Sequence, residues 1–559
     1  MSTSTVTTSA LKTGADLLVE SLEAQGVKHV FGIPGAKIDK VFDRLRDSSI
    51  KTVVCRHEQN AAFIAGGIGR MTGRAGVALV TSGPGVSNLA TGLATATSEG
   101  DPVVAIGGAV AVENALKQIH QSMDQVSLLR PATKFSAEIN SSKTVTEVVA
   151  NAFRIAESPR PGAAYLNARM DIMVGEASGD VLTPVTPEVL GPATAAAISE
   201  AADMINRAER PLLFLGMLAS QPNNAEAVRT LLRKTGLPVV STYQAAGVVS
   251  RDLFDLFGGR VGLFRTQPGD RLLDAADVVI TIGYDPIEYE PALWNEGRKR
   301  NLIHIDQTLC DTDRDYHPQI ELTGDIAATL QALTAVVKRR GLTSETVFLK
   351  EIARDREEFS KVAAAKTGMP VHPMRLVHEL QNLLTDDTTL CSDMGSFHIW
   401  LARHLYSFRS RQVLITNGQQ TLGVALPWAI AACLVRPSEK VISVSGDGGF
   451  LFSAAELETA VRLKCNFVHI VWIDGSYDMV RFQEVAKYGR SSGVDFGPVD
   501  VVKFAESFGA RGMYINSPDG ITPTLKNALE MPGPVIVGVP VDYRDNLQLI
   551  KDLRPNAFF

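Results

Sequence analysis

Ten short runs of nearly continuous apolar residues recur along the chain, among them "GVALVTSGPG", "DVVITIGYD", "KVISVSGDGG" and "FVHIVWID". Each ends in glycine, aspartate or a small polar residue, and helical patterns separate them. A strand that is apolar on both faces belongs in a parallel sheet covered on both sides, because a half-exposed strand would alternate apolar with polar. Strands alternating with helices imply βαβ units. The fold class is therefore α/β, built from doubly wound parallel sheets.

A chain of 559 residues is too long for one core. Two stretches read as linkers: "VLTPVTPEVLGPAT" at 181–194 and the charged helix "SETVFLKEIARDREEFSKVAAAKTGMPVHP" at 344–373. The expected domains are 13–180, 190–343 and 374–545, with tails at 1–12 and 546–559. The outer two read alike. "RHEQNAAFIAGGIGRMTGRAGVALVTSGPG" and "GQQTLGVALPWAIAACLVRPSEKVISVSGDGG" both run helix, strand, glycine loop, so Ser82-Gly-Pro-Gly stands where Ser445-Gly-Asp-Gly stands. They look like two copies of one fold with different loops. The middle domain looks Rossmann-like, with Asp306 ending "LIHID", but "LFLGMLAS" carries no G-x-G-x-x-G after its strand, so no bound dinucleotide is expected.

Composition excludes several functions. A net charge of −6 offers no basic face to nucleic acid or an anionic membrane. The five cysteines (Cys55, Cys310, Cys391, Cys433, Cys465) are scattered without C-x-x-C spacing, which argues against a zinc site or disulfide frame and for a reducing compartment. No apolar stretch reaches the roughly 20 residues that span a bilayer. The start, "MSTSTVTTSALK", lacks the apolar core of a signal peptide and reads as a disordered tail. A cytoplasmic protein is expected.

The stretch "KVISVSGDGGFLFSAAELETAVRLKCNFVHIVWIDGS" carries the chemistry. Asp447 and Asp474 end two apolar runs and lie 27 residues apart, the length of one strand-helix-strand crossover. Ligands of open parallel sheets bind beyond the carboxyl ends of the strands. Adjacent strands would bring both carboxylates together as hard oxygen ligands suited to Mg²⁺, with the Ser476 backbone carbonyl as a third. Gly446, Gly448 and Gly449 let backbone N–H groups approach an anion, and a helix from about Ser453 would point its positive end there. The absence of G-x-x-x-x-G-K-[ST] argues against a nucleotide P-loop.

"GDGGF" with Asp474-Gly475 downstream resembles the thiamin diphosphate signature, GDG followed one crossover later by Asn or Asp. "FGIPGAKIDKVFD", "RHEQNAAFIAGGIGRMTG", "TSGPGVSNLATGLA" and "NGQQTLGVALPWAIAA" resemble other segments of the pyruvate-using branch of that family. The resemblance spans the chain beyond its tail and is nearest to the catabolic acetolactate synthases, through "IHQSMD", "GYDPIEYEPALWN" and "DMGSFHIW". It implies an aminopyrimidine-binding first domain, a Rossmann-like middle domain and a third domain binding diphosphate and Mg²⁺. The expected cofactors are thiamin diphosphate and Mg²⁺. The expected reaction decarboxylates one pyruvate and joins the two-carbon fragment to a second, giving 2-acetolactate and CO₂ on a route to acetoin. A homodimer with active sites at the subunit interface is the minimum unit, and a homotetramer is expected.

The resemblance also assigns residues. Glu58 in "RHEQNAA" would hydrogen-bond the aminopyrimidine ring nitrogen and so favour the tautomer that acts as internal base. Leu422 would wedge beneath the cofactor, the Gln420 carbonyl would accept from its amino group, and Met394 would line the same ring. Ser396, Phe397, His398 and Tyr477 join the cofactor set. Lys37, Gln121 and Gln483, with Tyr543, would place the second pyruvate.

Some positions depart from the pattern or exclude neighbouring families. Flavin-binding anabolic synthases carry a "GVRFDDR"-like stretch where this chain has Ile282-Gly-Tyr-Asp-Pro-Ile-Glu-Tyr-Glu-Pro, so FAD is not expected. Gly475-Ser476 replaces the usual Asn-Gly type, which predicts a looser metal loop. Pyruvate oxidases need a flavin site. Pyruvate decarboxylases carry a histidine pair, whereas His120 is followed by Gln121. A homologue that merely bound the cofactor would have no need of Glu58 together with Asp447 and Asp474.

Overall fold

A computed structural model describes residues 12–184, 190–263, 265, 267–297, 299–339 and 345–547. Apart from Lys12, Asn546 and Leu547, the two expected tails lie outside the described residues. The chain divides into two compact units, 1–187 and 188–559.

The first unit holds one sheet: β1 (His29–Ile33), β2 (Lys51–Val54), β3 (Gly76–Val80), β4 (Val103–Ala109), β5 (Phe135–Ile139) and β6 (Ala163–Arg169). Its spatial order is β2-β1-β3-β4-β6-β5, with every pairing parallel. The central strands β3 and β4 are buried along their whole length, as their unbroken apolar runs require. Where β1 crosses β3, a Cβ at Gly32 would fall 1.7 Å from the Leu79 carbonyl, so only glycine allows that approach.

The second unit holds two sheets. One comprises β7 (Pro211–Leu215), β8 (Val239–Ser241), β9 (Phe257–Arg260), β10 (Val278–Ile282), β11 (Asn301–Asp306) and β12 (Ile320–Thr323), in the order β12-β11-β10-β7-β8-β9. Read from the other edge this is 3-2-1-4-5-6, the dinucleotide-fold order, with its switch point between β7 and β10. The other comprises β13 (Thr388–Ser392), β14 (Val413–Ile415), β15 (Lys440–Gly446), β16 (Val468–Ile473), β17 (Arg511–Tyr514) and β18 (Val535–Pro540), in the order β14-β13-β15-β16-β18-β17. Counted from its own first strand, that is the order of the first sheet. The two outer sheets share one topology.

The stretch read as the second linker contains the helix Glu345–Ala364. Its Leu349 and Ile352 are buried in the same cluster as Leu272, Trp294 and Tyr316, so this helix is packed against the middle sheet's cover. No helix among the described residues is long and apolar enough to cross a membrane.

The helix Glu58–Thr72 follows β2 and carries Glu58 as its first residue. His57 caps it, its Nδ1 accepting the Gln59 N–H at 3.1 Å, and Gly73 closes it in the left-handed region at φ 74°. Near the far end, Arg70 reaches the turn before β4. Its Nε and Nη2 donate to Asp101 at 2.9 Å each, and Nη2 also donates to Glu99 at 3.1 Å. All three side chains are at most 10% exposed. Removing the guanidinium would take the cation away from two buried carboxylates. Arg70→Met is therefore expected to destabilise the protein by about 3–5 kcal/mol, read as a lowered midpoint in denaturant unfolding.

Candidate active site

Within the first unit, the expected site residues follow the carboxyl ends of four neighbouring strands. Lys37 lies beyond β1, Glu58 beyond β2, Ser82-Gly83 beyond β3, and Gln121 beyond β4. Glu58 is buried at 8% exposure, and its Oε2 accepts from Asn88 Nδ2 at 2.9 Å. Gln121 sits at φ 62°, a conformation a non-glycine residue adopts only when held, and its Oε1 accepts from Ser82 Oγ at 3.1 Å. Gln125 completes the arrangement. Its Oε1 accepts the Gly83 N–H at 2.7 Å, while its Nε2 donates to Asn167 at 2.6 Å. Gln121, Gln125, Arg130 and Arg169 line a cavity of about 350 Å³. Lys37 is partly exposed and does not line it.

The second unit brings more of the candidates together. β15 and β16 are adjacent and parallel, with Gly446 opposite Trp472, so Asp447 and Asp474 leave neighbouring strand ends. A cavity of about 290 Å³ opens beyond these ends. Met394, Ser396 and Phe397 enter it from beyond β13, Gln420 and Leu422 from beyond β14, and Gly446, Gly448 and Gly449 from beyond β15. Asp474, Ser476, Tyr477 and Gln483 enter from beyond β16, and Tyr543 from beyond β18.

His398 does not line this cavity. It is fully buried, its Nε2 lies 3.0 Å from the Thr416 carbonyl, and its ring meets Tyr243 edge-on. Burial pushes its pKa down to about 4, so the ring is neutral and supports the 416–422 loop from behind. The helix expected from about Ser453 starts earlier, at Asp447, and runs Asp447–Ser453. The glycines that read as loop form its first turn.

Asp447 is partly buried and holds the loop beyond β16: its Oδ2 accepts the Gly475 N–H at 2.8 Å and its Oδ1 accepts that of Gly448 at 3.0 Å. Burial raises its pKa. Asp474 Oδ2 accepts from Ser476 Oγ at 2.5 Å. Burial first, then the negative Asp447 and Asp478, push the Asp474 carboxyl up to about 7. The loop is not loose, contrary to what Gly475-Ser476 suggested. Gly475 accepts the Phe496 N–H at 3.2 Å, Tyr477 donates to Val494 at 2.9 Å, and Ser476 bridges Asp495. Pairing with 494–496 replaces the missing asparagine side chain.

Among the described residues no three His, Cys, Asp or Glu side chains converge on a metal position. Two carboxylates and a backbone carbonyl suit a cation that takes its remaining oxygens from phosphate and water, as Mg²⁺ does. The cradle fits a diphosphate in shape as well. A Cβ at Gly449 would stand 2.9 Å from Asp393 Oδ2, and one at Gly448 would stand 2.7 Å from the Tyr477 ring, so side chains there would fill the space.

Three matches to known domains fall on the three sheets. The N-terminal thiamine pyrophosphate-binding domain matches residues 12–128, the central domain 198–333 and the C-terminal binding domain 393–539. The chain belongs to the thiamine pyrophosphate enzymes. Within that family it is 54% identical over 545 residues to a catabolic acetolactate synthase of Raoultella terrigena, covering 97% of each chain. It is 51% identical over 546 residues to an acetolactate synthase of Bacillus subtilis, covering 98% of this chain and 96% of that one. The large subunit of acetolactate synthase isozyme 2 of Escherichia coli is 30% identical, with 96% of each chain covered.

Two carboxylates escaped the sequence reading: the buried Asp393, which follows β13, and the half-buried Asp478, which opens the helix Asp478–Tyr488. Asp478 Oδ2 accepts from Ser396 Oγ at 2.6 Å and from Asn546 Nδ2 at 2.7 Å, while Asn546 Oδ1 accepts from Trp400 Nε1 at 2.8 Å. The available signal for Asp393 was its place at a strand end, like Asp306, Asp447 and Asp474.

The cradle generates a test. Gly449→Ala places a methyl against a buried, clamped carboxylate. Titration calorimetry with Mg²⁺ should show thiamin diphosphate binding weakened by at least about tenfold. Gly448→Ala, which meets only the partly exposed Tyr477 ring and Phe496, should bind more tightly than Gly449→Ala.

Proposed function

We propose that the chain is a flavin-free, catabolic acetolactate synthase working on thiamin diphosphate and Mg²⁺, converting two pyruvates to 2-acetolactate and CO₂. The observation that carries this reading is the 54% identity spread over 97% of both chains, which includes all three domains rather than the cofactor loops alone. When bound, thiamin diphosphate would supply a carbon nucleophile and an electron sink for the decarboxylation of pyruvate.

The protein's part is to bind, orient and keep water out. Asp447, Asp474 and the Ser476 carbonyl would hold Mg²⁺, with the diphosphate over Gly448 and Gly449. Met394, Leu422 and the Gln420 carbonyl would hold the ring end; Gln420 at φ 50° and Gly423 at φ 87° turn that loop toward the cavity. Glu58 Oε2 is engaged by Asn88, leaving Oε1 to hold the proton shared with the aminopyrimidine nitrogen. Lys37, Gln121, Gln483 and Tyr543 are assigned to the second pyruvate, whose carboxylate needs a cation or N–H donors. A homodimer would supply Glu58 from one subunit and the metal loop from its partner, and two dimers would form the tetramer. The five cysteines are unpaired, which suits a reducing cytoplasm.

A specific contact favours the flavin-free branch. A dinucleotide on a 3-2-1-4-5-6 sheet would place its pyrophosphate at the switch point, on backbone N–H groups beyond the first strand. There the Met217 N–H beyond β7 donates to Glu288 Oε2 at 2.8 Å, and Asp285 N–H donates to the same oxygen at 3.2 Å. Thr242 Oγ donates to Glu288 Oε1 at 2.6 Å. Glu288, only 2% exposed, is the chain's own occupant of the anion position.

Pure protein supplied with pyruvate, Mg²⁺ and thiamin diphosphate, but no flavin, should yield acetolactate as its main product when acetolactate and acetaldehyde are assayed together. Acetaldehyde alone would mean a decarboxylase, and dependence on added FAD would mean an anabolic synthase or an oxidase. Glu58→Gln should lower turnover roughly 10²–10⁴-fold while thiamin diphosphate still binds.

Burial pushes the Glu288 carboxyl up to about 8 from an ordinary 4.5. Between those values the folded state keeps a proton that the unfolded state has lost, so stability falls as pH rises through this window. Glu288→Gln keeps an acceptor for Met217 and cannot ionise. Its thermal midpoint relative to wild type should rise steadily from pH 5 to pH 8, an advantage of a few kcal/mol at the upper end.

A further inference from the structure

Asp393 opens the segment "DMGSFHIW" without a role of its own there and does not line the 290 Å³ cavity, yet its side chain meets three of the loops that build the cofactor cradle. It is 1% exposed at the end of β13. Its Oδ1 accepts the Met394 N–H at 2.9 Å, and both oxygens share the Gly423 N–H, again at 2.9 Å. On the third side, Oδ2 lies 2.9 Å from where a Cβ of Gly449 would stand, and the Leu422 Cδ2 atom lies 3.6 Å from the same point. The exits of β13, β14 and β15 therefore converge on one carboxylate.

The residue type follows from this convergence. Backbone amides of Met394, Gly423 and Val424 are what favour the charged carboxylate against its burial. An apolar side chain would leave N–H donors buried without acceptors. The loop that receives this support needs it, since Gln420 and Gly423 both take left-handed backbone angles and Leu422 stands between them.

We propose that Asp393 is a positioning residue for the reaction, its carboxylate fixing Met394 and Leu422 relative to the glycine cradle and so setting how the cofactor's ring is held. This rests on the cofactor reading given above. The diphosphate end has its own anchor at Asp447 and Asp474, so the two ends are held by different groups. Loss of Asp393 should disturb placement more than binding.

The test uses full-length wild type, Asp393→Ala and Asp393→Asn, measured in three ways. In cofactor-free protein, hydrogen exchange at the Met394 and Gly423 amides should be at least about tenfold faster in Asp393→Ala, because their acceptor is gone. Calorimetry with thiamin diphosphate and Mg²⁺ should show binding weakened only a few-fold. Turnover at saturating cofactor should fall roughly 100-fold, the scale of a small misplacement at a reacting centre. Asp393→Asn keeps one oxygen for both amides and should stay near wild type in all three. Wild-type turnover in Asp393→Ala would overturn the proposal alone. If Asp393→Ala does not fold, Asp393→Asn decides: turnover lost with amide protection and cofactor binding intact would mean that the charge matters rather than the placement. Wild-type protein that binds the cofactor but turns over no pyruvate would overturn the functional reading, and the proposal with it.

Discussion

Two carboxylates drawn out of water beside each other repel, and each loses the hydration that favours its charge. Asp447 and Asp474 are in that position because β15 and β16 are neighbours and both end at an aspartate. The protein supplies partial relief through Gly475, Gly448 and Ser476, yet the Asp474 carboxyl is still pushed up to about 7. A divalent cation carrying a diphosphate would remove the repulsion. The glycines clear a cradle, the 494–496 segment pins the loop, and apolar residues beyond β13 and β14 wall the other side. Much of the cost of burying the aspartates is a cost of waiting for the ligand.

The same strand order serves the first sheet with opposite chemistry. Beyond its third strand, Ser82-Gly-Pro-Gly replaces Ser445-Gly-Asp-Gly, and hydrogen-bonded neutral pairs, Ser82 with Gln121 and Gln125 with Asn167, stand beside the Arg169–Glu138 ion pair. Its one buried acid facing that edge is Glu58, satisfied on one oxygen by an amide rather than a cation. One topology thus carries two aspartates and a glycine cradle at one edge in one copy and a largely hydrogen-bonding edge in the other. That division matches a cofactor with an anionic tail and a heterocyclic head.

The unbroken apolar runs were sufficient to read parallel sheets, because a strand buried on both faces leaves its mark in composition. The 27-residue spacing was sufficient to place Asp447 beside Asp474, because a crossover of that length joins neighbours. What escaped depends on contacts between distant segments. Asp393 is the acceptor for a loop 30 residues away, and Asp478 ties Ser396 to Asn546 across 82 and 68 residues. No local pattern distinguishes such acids from capping residues. His398 failed for the related reason that adjacency to Ser396 and Phe397 does not fix which way a helix turns a side chain. The helix start at Asp447 was hidden by glycines, which score as loop although the backbone there is helical.

The middle sheet bears on the cofactor wall through a residue at its switch point. Glu288 occupies the switch point with its side chain, and its backbone carbonyl accepts from Asn417 Nδ2 at 2.7 Å. Asn417 belongs to the loop that carries Gln420 and Leu422, so the residue at the switch point also braces that loop. Tyr243 adds a second brace: its hydroxyl donates to Gly262 at 3.0 Å while its ring packs edge-on against His398, which holds Thr416 at the root of the same loop. Arg260 instead holds the helix Ser396–His404, donating to the Ala402 carbonyl at 3.0 Å. A bound dinucleotide would need the very N–H groups that Glu288 now uses. Glu288 thus acts at two points, its carboxylate taking the Met217 and Asp285 N–H groups and its backbone carbonyl holding the loop through Asn417.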